Sequence, residues 1–135
     1  QLGKSVQLRD GKDLTIIASG IEVSEALDAA EVLAQEGIEA RVIDMFTIKP
    51  LDTDAVEAAA KETGAIVTAE NHNVNGGLGS AVAEYLVEHC LVPMERVANM
   101  DRFGDVGSLR YLMDEYGLSF RFIVEKAKQV LKRKY

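Results

Sequence analysis

One cysteine, two prolines and no tryptophan occur among the 135 residues. The lone thiol, Cys90, excludes an internal disulfide and fits a reducing, cytoplasmic setting. No apolar run approaches the roughly 20 residues that a membrane-spanning helix needs, so no membrane attachment of that kind is expected. Gln1-Leu2-Gly3-Lys4 lacks the apolar stretch of a signal peptide, and the missing initiator methionine suggests a fragment or a processed chain. Repeats, low-complexity tracts and linkers are absent as well, which predicts one domain over residues 1–135. Positive charge is scarce: the net charge is −7 although Lys126, Lys128, Lys132, Arg133 and Lys134 add +5, so the first 125 residues carry −12. An acidic body excludes ordinary nucleic-acid binding, which needs clustered lysine and arginine. The basic tail suits the negative dipole end of a last helix.

Catalytic signatures are also few. Neither Gly-x-Gly-x-x-Gly nor a P-loop with its lysine is present, and there is no Gly-x-Ser-x-Gly elbow. His72 and His89 have no companions at metal-ligand spacing, so a metal site is not expected. His89 precedes Cys90, but adjacent helical residues point in different directions, which argues against a Cys-His nucleophile.

What is present is a regular alternation of short β-rich runs and amphipathic helices. Leu14–Ala18, Arg41–Met45, Ala65–Ala69 and Arg96–Asn99 read as strands. Helical spacing joins Val23, Ala26, Leu27, Ala30, Leu33 and Ala34, and Ser19-x-x-Glu22 looks like its capping box. Gly37 sits where its C-terminal cap belongs. A second helix runs from Pro50 and Asp52 to about Glu62, closed by Gly64. A third carries Leu78, Ala81, Val82, Tyr85, Leu86 and a partly buried His89 on one face. A short helix is expected from about Ser108 to Tyr116. A last one, capped by Ser119, has Phe120, Ile123, Ala127, Val130 and Leu131 inside. This order predicts an α/β domain with a mainly parallel sheet and helices on both faces. Ser5–Arg9 is a further strand, and Asp10-Gly11 after it is a tight-hairpin signal.

Ligands in such sheets bind beyond the carboxyl ends of the strands. Three segments fall there: Ser19-Gly20, Glu70 to Ser80, and Asp101 to Gly107. Gly76, Gly77 and Gly79 lie between a strand and a helix N-terminus, where backbone amides next to Ser80 could hold an anion. Close packing and a sharp turn explain the same glycines. Glu70 and His72 share one side of an extended segment, which suits an acid/base pair or a polar contact with a neighbouring domain. Phe46, Asp101, Arg102 and Phe103 are candidate interface residues on the same edge. Met45, Met94 and Met100 read as core filler. No complete catalytic constellation emerges.

Four collinear segments carry a resemblance. Gly11–Gly20, Val42–Asp52 (VIDMFTIKPLD), Thr68–Glu84 (TAENHNVNGGLGSAVAE) and Asp101–Gly107 with Tyr116–Ser119 resemble successive motifs of transketolase C-terminal domains. One departure is Val106, where that family often has serine. The resemblance implies a three-layer α/β/α fold with a five-stranded mixed sheet, order 1-3-2-4-5, strand 1 antiparallel; that order separates strands 1 and 2, against the hairpin signal. It also implies a cytoplasmic transferase of the pentose phosphate pathway that moves a two-carbon ketol unit between sugar phosphates. Thiamine diphosphate and Mg²⁺ would belong to other domains of that enzyme, and no catalytic residue would map onto this one. Its role would be to support a homodimer and to pack on the pyrimidine-binding domain. 1-Deoxy-xylulose-5-phosphate synthase and the β subunit of 2-oxo acid dehydrogenases share the domain and are the alternatives within the family. A free-standing regulatory module that binds an anion or nucleotide at the Gly-rich turn is the alternative outside it.

Overall fold

The computed structural model describes residues 3–73, 77–99 and 120–134, with the side chains of 71–73 and 99 outside that description. In chain order the elements are β1 (Val6–Arg9), β2 (Leu14–Ala18), α1 (Glu22–Gln35), β3 (Ala40–Asp44), α2 (Thr53–Thr63), β4 (Ile66–Asn73), α3 (Leu78–His89), β5 (Met94–Asn99) and α4 (Phe120–Lys132). They build one five-stranded sheet of order β1-β3-β2-β4-β5, parallel except for β1.

Strand position follows from burial. All five residues of β2 are buried, so this strand needs cover on both faces and a partner on both edges. It has them: β3 and β4 flank it in parallel register, Ile16 opposite Val42 and Val67. β1 is mostly exposed and sits at the edge.

Alternation along the strands divides the core in two. Leu14, Ile16, Ala18, Val42, Val67 and Ala69 pack against Ala26, Ala29, Ala30 and Leu33 of α1 and Ile123, Ala127 and Val130 of α4. Ile17, Ile43 and Ile66 face the other way, onto Val56, Ala59 and Ala60 of α2 and Leu78, Val82 and Leu86 of α3. Met45 is fully buried in the second layer and Met94 packs at its margin. Met100, the helix expected near Ser108–Tyr116 and its cap residue Ser119 lie outside the described residues.

Local chemistry sets most helix ends. Asp52 caps α2 by accepting from the Ala55 amide at 3.2 Å, and Gly64 closes it with φ +74°. After α1, the Gly37 and Ile38 amides donate to the carbonyls of Ala34 and Leu33, the paired bonds of a Schellman motif with Gly37 at φ +82°. The start of α1 departs from the capping-box expectation. Glu22 is the first helical residue, Ile21 precedes it without a side-chain cap, and the Ser19 hydroxyl is buried without a hydrogen-bond partner among the described residues. Gly20, at φ +61°, turns the chain between Ser19 and the helix, which places Ser19 too early to cap it.

The hairpin expected at Asp10-Gly11 does not form. β1 pairs antiparallel with β3 instead, Val6 opposite Asp44, with an irregularity between Gln7 and Arg9. Gly11 crosses the start of β3 in backbone contact: a Cβ there would lie 2.4 Å from the Ala40 carbonyl carbon. Asp13 then clamps the crossing, accepting from the Glu39 amide through its side chain at 2.7 Å and donating its own amide to the Glu39 carbonyl at 3.0 Å. A hairpin would displace β3 or β4 from β2, a strand buried over its whole length.

The basic tail is paired more specifically than a dipole requires. Lys128 meets Glu36 at 2.7 Å, Lys126 and Arg133 both meet Glu95, and Lys134 donates to the Asp13 carbonyl at 2.8 Å. Surface pairs of this kind contribute at most about 1 kcal/mol each.

Candidate functional site at the carboxyl end of the sheet

Glu70 extends from the carboxyl half of β4 and is 1 % exposed. Its two oxygens accept from the amides of Leu78 and Gly79, at 2.8 and 2.6 Å. These are the first two residues of α3, so the carboxylate sits on the positive end of the helix dipole and satisfies two amides that lack helical partners. Glu70 and Gly79 thus meet at the start of α3, where Gly77 and Leu78 are also buried. Gly79 is required for close approach: a Cβ would lie 2.6 Å from Arg96 Nε and 3.1 Å from Thr68 Oγ1. Arg96 stands opposite Thr68 on β5, and its Nη2 donates to Ser80 Oγ at 2.8 Å. The Thr68 hydroxyl is buried with no hydrogen-bond partner among the described residues.

The remaining predicted residues fall as follows. His72 lies in β4, within the stretch between Ala69 and Asn73 where the β4–β5 register shifts, and its side chain is outside the described residues. Gly76, Asp101, Arg102 and Phe103 are also outside them. Phe46 follows β3 and is 51 % exposed; Ile21, in the loop after the neighbouring strand β2, is 39 % exposed. Both lie at the carboxyl end of the sheet.

Two buried carboxylates were not anticipated from the sequence: Glu22, taken there as a capping-box residue, and Glu25. Glu22 is fully buried and Glu25 is 5 % exposed, both on α1. Glu25 accepts from the Phe120 amide at 2.7 Å and so serves the N-terminus of α4, as Glu70 serves that of α3. The available signal was a pair of acids three apart on the helix face that carries Ala26, Ala29 and Ala30. Arg96, read only as the first residue of a strand, was also missed, because its partner Ser80 lies on another element.

Away from this edge, Tyr85 on α3 donates its hydroxyl to Glu57 Oε1 on α2 at 2.6 Å. That hydrogen bond pushes the phenol up to about 12 and holds the Glu57 carboxyl below its ordinary value. His89, expected to be partly buried, is exposed and stacks on Tyr85 with ring centroids 4.2 Å apart. It is the last residue of α3. No group of three His, Cys, Asp or Glu that could hold a metal occurs among the described residues, and none of their helices is long and apolar enough to cross a membrane.

The architecture defines a three-layer α/β/α domain whose carboxyl edge carries helix-capping glutamates and exposed apolar side chains. The family model of the transketolase C-terminal domain matches residues 3–123, and the chain belongs to that family. It is 53% identical over 133 residues to the 6-deoxy-6-sulfo-D-fructose transketolase subunit of Clostridium sp. (strain MSTE9), covering 98% of this chain and 41% of that one. A 1-deoxy-D-xylulose-5-phosphate synthase of Heliobacterium modesticaldum is 39% identical, covering 96% of this chain and 20% of that one. Among solved structures, a split gene transketolase described as an inactive beta4 tetramer superposes with a TM-score of 0.96 at 44% identity, covering all of this chain and 44% of that one. The chain spans less than half the length of these relatives.

Proposed function

We propose that this chain is the C-terminal part of a thiamine-diphosphate-dependent transketolase, working in the cytoplasm, and that it serves assembly rather than the chemical step. The whole enzyme would move a two-carbon ketol unit between sugar phosphates. The observation that carries this reading is the end-to-end match to a minor share of a protein named as a transketolase subunit and of a split gene transketolase. Exposed apolar side chains supply a means: Phe46 and Ile21 at the carboxyl edge, Val6 and Leu8 on edge strand β1. Such residues suit burial against the rest of the enzyme and in a homodimer.

The described residues do not fit the cofactor. The Leu78 and Gly79 amides that could receive a diphosphate are taken by Glu70, and no described carboxylate group suits Mg²⁺. In this reading thiamine diphosphate and Mg²⁺ belong to other domains of the enzyme.

The test is reconstitution. The purified chain alone should show no ketol transfer, and joining it with the pyrophosphate- and pyrimidine-binding portions should restore activity with a ketose phosphate donor and an aldose phosphate acceptor. Activity of the chain by itself refutes the assembly role. The likeness to a 1-deoxy-D-xylulose-5-phosphate synthase favours a second reading. Product formation from pyruvate and glyceraldehyde 3-phosphate, without ketose-phosphate turnover, would select it.

A further inference from the structure

Two helices at the carboxyl end of the sheet have N-termini served by buried glutamates from distant positions, Glu70 on α3 and Glu25 on α4. The α3 arrangement is the more complete. Both oxygens of one carboxylate lie on consecutive amides, the contacts a bound anion would make at a helix start. A second buried polar group lies beside the same residue: the Thr68 hydroxyl, 1 % exposed and without a partner among the described residues, is 3.1 Å from the Cβ position of Gly79.

We propose that the start of α3, at the Leu78 and Gly79 amides, is an anion site whose resident ligand is the chain's own Glu70 carboxylate. The native protein then takes no free anion there, and removing the carboxylate opens a site for a small free carboxylate. A tethered group holds its place without the loss of translational freedom that a free ion incurs, so it outcompetes solution anions. Both amides are thereby occupied from within.

The test uses the full-length protein. Glu70→Ala should lower the melting temperature by about 5 °C or more. Acetate at about 50 mM should return about 2–4 °C of that loss through binding linkage. It should return no such amount to wild type or to Val82→Ala, a cavity variant of the same layer that controls for general salt effects. Equal acetate responses in all three proteins, or an unchanged melting temperature in Glu70→Ala, overturn the proposal. So does a wild-type melting temperature that rises with a few millimolar acetate or inorganic phosphate, because the site would then be open. If Glu70→Ala does not fold, Glu70→Gln and hydrogen exchange decide. The amides of Leu78 and Gly79 should be protected in wild type and exchange at least about tenfold faster in Glu70→Gln, tenfold being the loss of one charge-assisted hydrogen bond. Equal exchange in both proteins overturns the proposal.

Discussion

Replacing Gly79 by alanine should destabilise the domain, although local rules predict the opposite. In an open helix the change would stabilise by about 0.5–1 kcal/mol, since alanine is the better helix former. Here the new Cβ would lie 2.6 Å from Arg96 Nε and 3.1 Å from Thr68 Oγ1. The guanidinium must move, and crowding a packed site costs about 1–3 kcal/mol. Its 2.8 Å hydrogen bond to Ser80 is lost at the same time. A bond from a charged donor contributes about 1.5–3 kcal/mol, and this partly buried one falls at the low end of that range. Offsetting the helix gain leaves a net loss of about 2–3 kcal/mol, which for a domain of this size lowers the melting temperature by roughly 10 °C. Urea unfolding of the single variant measures the loss, and the same substitution in an Arg96→Ala background identifies its cause. With the guanidinium gone, the penalty should shrink by at least about 1 kcal/mol, a coupling expected only between residues in contact. A stabilised Gly79→Ala variant, or an equal cost in both backgrounds, would refute the reasoning.

Three further outcomes are expected. Phe46→Glu should leave domain stability within about 0.5 kcal/mol, because the ring is exposed, while weakening association with the rest of the enzyme in sedimentation velocity; an unchanged assembly removes Phe46 from the interface. Gly11→Ala should cost about 3 kcal/mol or more in urea unfolding, since its Cβ would meet the Ala40 backbone at 2.4 Å and neither chain segment can rotate away; a loss below about 1 kcal/mol contradicts the crossing. Tyr85 has a folded-state phenol raised from 10.0 to about 12, so its contribution to stability is complete below pH 10 and is lost as the pH climbs toward 12. Ultraviolet difference titration of wild type against Tyr85→Phe should show one phenol ionising near pH 12, and a missing step near 10 in place of 12 would dismiss the Glu57 bond.

Features written in a few consecutive residues were legible. Asp52 and Gly64 mark the ends of α2, Gly37 marks the turn after α1, and the run Leu14–Ala18 is strand β2 to the residue. These positions answer to local backbone chemistry, which any reading of sequence can weigh. The α/β order followed from periodicity, and the sheet order from the family resemblance. Readings that failed involved a competitor far along the chain. Asp10-Gly11 had every property of a hairpin, but β2 gained more from two parallel partners than from β1. Ser19 looked like a cap until Gly20 turned the chain first. His89 continued an apolar stripe in the sequence, but its ring is exposed and stacks on Tyr85 at the last turn of α3.

The candidate site divides along the same line. Sequence alone determined that a Gly-rich turn with a glutamate before it stands between a strand and a helix, because turn and helix-start preferences are local. Only tertiary structure decided what that turn holds. Strand β4 brings Glu70 back onto amides eight and nine residues ahead, β5 brings Arg96 under Gly79, and α1 brings Glu25 to a helix 95 residues away. A buried carboxylate must find donors, and which donors are within reach is settled by the packing of distant segments, not by neighbours in the chain.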